Sequence, residues 1–79
     1  MKWEDYIVSD KDVLQGKFCM VGTRISVEHI IDLLAQGWNE IQIIENYPRI
    51  SKASLQAVFL YIQSCMKDGF ISSELKRSN

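Results

Sequence analysis

The residues best suited to contact another molecule lie just after the single proline. Arg49 precedes Ser51, and Lys52, Ser54 and Gln56 follow within six positions. Gln can pair with adenine through two hydrogen bonds, and Lys or Arg can meet guanine or a phosphate. A helix opening at Ser51 would present these side chains at its leading end, where free amides also attract phosphate. The Ser51 hydroxyl serves the helix cap before any ligand. The opposing consideration is charge. Nine basic residues against ten acids leave a net charge of -1, a sparse footprint for nucleic acid. The alternative is a solvated face beside an ordinary cap.

Residues for catalysis or metal binding are less well arranged. Glu28 and Asp32 stand one helical turn apart, and paired carboxylates do acid–base work only in a shaped pocket. Neighbouring His29 does not share their face, because consecutive helical residues point apart. Cys19 and Cys65 lack CxxC spacing and cannot form a disulfide framework. No third group orients a Cys19/His29 pair for nucleophilic attack. Trp3 and Trp38 suit a core or an interface. The expectation is a non-enzyme with no metal and no cofactor.

The elements that must position the basic cluster can be read from periodicity. A chain of 79 residues is one domain: a β-ribbon over 6–25, three helices over 26–68 and a C-terminal tail over 69–79. Tyr6-Ile7-Val8 and Lys17-Phe18-Cys19-Met20-Val21 are β-prone runs, the second bracketed by Gly16 and Gly22. Thr23-Arg24-Ile25 is a third, very short extended piece. Gly22 permits a turn that a side chain would block. Thr23 can bond the backbone, and Arg24 can clamp a carboxylate or an open carbonyl. These three read as a structural motif, since the loop lacks the phosphate-binding glycine pattern.

Ser26 caps the first helix, and Val27, Ile30, Ile31 and Leu34 follow one buried face. Gly37 ends it. Asn39 caps a short second helix with Ile41 and Ile44 inward, and Pro48 stops it after Tyr47. The third helix runs from Ser51 to about Lys67. Leu55, Val58, Phe59, Ile62 and Met66 form its main apolar stripe. A second stripe of Ala53, Ala57, Leu60, Tyr61 and Ser64 is either a dimer or partner surface, centred on Ala57, Leu60 and Tyr61, or the seat of the ribbon. The tail from Glu74 to Asn79 is polar and is expected to fray.

Small chains gain stability by association, and the 47% hydrophobic content points to a homodimer. No apolar run reaches membrane-spanning length, and Met1 to Tyr6 carry no signal-peptide pattern. The cytoplasm is therefore the expected compartment.

The order of these features resembles the domain of unknown function 433 family. The matching residues are Gly16-Lys17, Gly22-Thr23-Arg24-Ile25, Val27, Leu33-Leu34, Gly37, Ile41, Ile44, Tyr47-Pro48, Leu55 and Ala57. They cover roughly residues 6 to 66. Phe18 and Ser26 depart from the family, which often has proline at both places. The resemblance implies a mostly α, homeodomain-like helix-turn-helix fold and an antitoxin related to VapB types. Such antitoxins partner a PIN-like ribonuclease toxin and can repress their own operon as dimers. The competing expectation is a protein-interaction module that never touches DNA.

Overall fold

The computed structural model describes residues 1–68; the tail expected over 69–79 lies outside them. A short antiparallel hairpin leads into three helices. Its strands are β1 (Ile7–Ser9) and β2 (Phe18–Met20), with Ile7 opposite Met20, Val8 opposite Cys19 and Ser9 opposite Phe18. The third extended piece is reduced to one bridge between Cys19 and Ser26, supported by the Met20 N–H donating to the Ile25 carbonyl at 2.9 Å. A 3-10 turn, Trp3–Asp5, precedes the hairpin. Between the strands, Leu14, Gln15 and Gly16 all take positive φ, at 51°, 58° and 82°. The first two are positions where a side chain is strained.

Helix α1 (Val27–Ala35) opens as its capping serine requires, with Ser26 Oγ accepting from the His29 N–H at 2.9 Å. It buries Val27, Ile30 and Leu33, while Ile31 and Leu34 are half-buried. The inward face is thus rotated slightly from the expected one, because Ile31 turns toward a groove shared with Phe18 and Tyr61. Gly37, at φ 96°, closes the helix. The Trp38 N–H donates to the Leu33 carbonyl and the Gly37 N–H to that of Leu34, both at 3.0 Å. These are the paired bonds of a Schellman ending, which needs the left-handed residue glycine supplies.

Helix α2 (Glu40–Asn46) begins in a capping box between Asn39 and Gln42. The expected inward Ile41 is instead 67% exposed, and Ile43 is fully buried. Ile41/Ile44 and Ile43/Tyr47 are both helical neighbours, and seven residues hold too few turns for periodicity to choose. The proline effect holds: Tyr47 leaves the helical region, at φ -129° and ψ 78°.

Helix α3 (Lys52–Lys67) supplies Leu55, Ala57 and Val58 to the core. Ile7, Met20, Val27, Ile30, Leu33, Ile43 and Ile50 complete it. Two expectations for α3 fail. Phe59 and Met66, assigned to the buried stripe, are each 46% exposed. Ala57, assigned to a partner surface, has no exposed area and belongs to the core. The reason lies at the start of the chain. Trp3 meets Tyr61 edge-on with ring centroids 5.1 Å apart, and Phe18 approaches Tyr61 at 5.5 Å. Leu60 borders a groove with Met1 and Trp3. The hairpin and the turn before it therefore occupy the second stripe, and α3 rotates to leave Phe59 and Met66 outside.

Candidate nucleic-acid interface

The connection from α2 to α3 is a tight turn with a buried plug. Ile50 is almost fully buried, and its N–H donates to the Tyr47 carbonyl at 2.8 Å. A large apolar side chain in the turn fixes where α3 begins, as burial outweighs the entropy of a short loop. Ser51 Oγ then accepts from the Ser54 N–H at 3.1 Å, and the two serine hydroxyls lie 3.0 Å apart. Ser54 fills the place Glu or Gln usually takes in a capping box. Both serines are thus committed to the helix start, which leaves them little to offer a ligand.

Lys52 and Gln56 are exposed, one turn apart on the same face. Neither is walled off by the hairpin, and neither has a hydrogen-bond or ion-pair partner among the described residues. Arg49 has a different place from the one its sequence position suggested. Its Nη1 donates to the Gly22 carbonyl at 3.1 Å, across 27 positions of chain. The carbonyl clamp anticipated for Arg24 is therefore made by Arg49, and Arg24 stands exposed. Gly22 and Thr23 do form the expected structural motif. Gly22 takes φ 78° as the third residue of a turn closed by the Thr23 N–H and the Met20 carbonyl. Thr23 Oγ1 donates to that carbonyl at 2.8 Å and accepts from the Ile25 N–H at 3.0 Å. Arg24 and Arg49 face an open cleft of 490 Å³, bordered also by Asp10.

A second tie escaped the sequence. His29 Nε2 lies 3.0 Å from the Tyr47 hydroxyl, holding the start of α1 against the end of α2. Residues 18 apart with no shared motif carry no local signal of pairing. Glu28 and Asp32 do face one groove, of 380 Å³. Lys17 Nζ meets Glu28 Oε2 there at 3.7 Å, an exposed pair of small energetic weight. Burial pushes the Tyr61 phenol above its ordinary value, and neighbouring Cys65 adds to the shift. Cys19 and Cys65 are free thiols. No group of three or more metal-ligating side chains occurs among the described residues, and no helix there is long and apolar enough to cross a membrane.

The model of the family described as "Protein of unknown function (DUF433)" matches residues 7–62, a span that includes the hairpin, both turns and most of α3. No curated protein and no solved structure matches the chain.

Proposed function

The chain belongs to the DUF433 family, and from that premise we propose that it is a small DNA-binding, antitoxin-like regulator of its own operon. One observation carries the reading. Lys52 and Gln56 stand exposed, with no partner among the described residues, at the leading end of a helix whose start is fixed by Ile50 and the Ser51 cap. Helix-turn-helix domains present that end of the second helix to the major groove. There Gln56 is the residue for a base edge and Lys52 for guanine or phosphate. Ser51 and Ser54 hold the helix, and Arg49 braces the turn.

The same proposal includes a homodimer, since such domains bind paired half-sites about 34 Å apart. Phe59 and Met66, seven residues apart on α3 and both half-exposed, offer an apolar surface to a second copy. They replace Ala57, Leu60 and Tyr61 in that role. A PIN-like toxin is the partner that a relation to VapB-type antitoxins would imply.

The test is fluorescence anisotropy with duplex from the region upstream of the gene, against a scrambled duplex of equal length, in moderate salt. The unaltered chain should prefer its own sequence, and Lys52→Ala with Gln56→Ala should lose the preference. Equal binding to both duplexes, or a preference that survives both substitutions, sinks the DNA role. Light scattering at micromolar concentration should give the mass of two chains; one chain refutes the dimer.

The net charge of -1 and the exposed Phe59 and Met66 favour a second reading, a module that grips a partner protein without DNA. Co-expression with the adjacent gene product decides it. That reading is abandoned if no complex co-purifies and no toxicity is relieved.

A further inference from the structure

We infer that the cleft between the hairpin and the α2–α3 turn is a phosphate clamp, in which Arg24 and Arg49 grip the nucleic-acid backbone beside the groove that α3 enters. This rests on the DNA-binding reading above and adds to it a second contact, one blind to sequence.

The argument begins with how two distant cations come to share one surface. Arg24 sits in the loop before α1 and Arg49 in the turn before α3, each two residues ahead of a capping serine. The bond from Arg49 Nη1 to the Gly22 carbonyl draws the two segments together. It commits only one of the five N–H donors that a guanidinium carries. Arg24 has no hydrogen-bond or ion-pair partner among the described residues. Both border the same 490 Å³ cleft, whose remaining charge is Asp10. That carboxylate is partly engaged, since Asp10 Oδ1 accepts from the Asp12 N–H at 2.9 Å.

Two guanidiniums against one carboxylate leave the cleft positive on a chain that is negative overall. Guanidinium is also the side chain that suits phosphate by geometry, through paired N–H donors. The cleft therefore offers a fixed arginine, braced by a backbone carbonyl, and a free one that can close on the ligand. Phosphate contacts of this kind position a protein on the duplex and carry no sequence information. They also explain how a chain with few basic residues could hold DNA: the cations are concentrated rather than numerous.

The experiment is a salt series with Arg24→Ala on the full chain. Both the upstream and the scrambled duplex are used, and thermal unfolding confirms that the variant folds. One lost phosphate contact lowers the slope of log affinity against log salt by about 0.9. Between 50 and 200 mM salt, the unaltered chain should then lose roughly threefold more affinity than the variant, on either duplex. Arg49→Lys keeps the charge but weakens the brace, and should retain most of the slope. An unchanged slope in Arg24→Ala overturns the clamp while leaving the DNA reading standing. A loss confined to the upstream duplex also overturns it, for Arg24 would then be reading bases.

Should the unaltered chain bind no duplex at all, the DNA reading fails and inorganic phosphate decides the cleft. Amide NMR shifts confined to Gly22, Thr23 and Arg24, and abolished by Arg24→Ala, keep an anion site there. Absence of such localised shifts removes it.

Discussion

Gly22 and Gly37 offer a matched pair of perturbations that separates folding from binding. Both take positive φ, 78° and 96°, and a Cβ built on either meets nothing within 4 Å. Alanine at either place therefore costs only the left-handed backbone, roughly 1–2 kcal/mol. For a chain of this size that lowers Tm by about 4–8 °C per kcal/mol. The two variants should thus lose similar stability by urea unfolding. Their effects on DNA should differ. Gly37 closes α1 and touches no residue of the interface, whereas the Gly22 carbonyl holds Arg49. If the strained turn relaxes, Arg49 is released and must be ordered again on binding, at about 0.5–1.5 kcal/mol. That is roughly a two- to tenfold weaker Kd. Anisotropy titrations at a temperature where both variants are fully folded make the comparison. Equal affinities for Gly22→Ala and Gly37→Ala refute the claim that the turn braces Arg49. A stability loss under about 0.3 kcal/mol in Gly37→Ala refutes the dihedral argument itself.

Ala57 and Phe59 should respond in opposite ways to substitution. Ala57→Leu overfills a closed core and should cost about 1–3 kcal/mol by urea unfolding, whereas Phe59→Ser, at a half-exposed site, should cost the single protomer no more than about 0.5 kcal/mol and shift the light-scattering mass toward one chain. Tyr61 predicts an alkaline limb. Its phenol titrates above the ordinary 10.0 in the folded chain, through burial first and Cys65 second. The unfolded chain therefore releases that proton first, so stability is complete below the unfolded value and falls as pH rises through the folded one. Tyr61→Phe should remove that part of the fall, read as urea midpoints at rising pH.

What the sequence made legible was local chemistry. Ser26, Asn39, Ser51, Gly37 and Pro48 each dictate a helix start or stop within a few residues, and each does so here. The sequence is silent where a choice depends on a distant partner. Ile41 and Ile43 compete for one inward place, and only packing against the rest of the core selects Ile43. The side of α3 that faces inward is decided by Trp3 and Phe18, from the far end of the chain. Arg24 and Arg49 were equally able to clamp a carbonyl, and the fold gave the role to the one across the turn. In the candidate interface, the exposure of Lys52 and Gln56 follows from their positions at the start of α3. The commitment of Ser54 to the cap depends on its hydroxyl lying beside that of Ser51.

The loop joining the hairpin strands has a consequence for chemistry rather than biology. At Leu14 and Gln15 the backbone winds with the opposite handedness to the rest of the fold. A D-amino acid prefers that winding, so a chain made by chemical synthesis with mirror-image glutamine at position 15 should tie its hairpin more firmly than the natural one.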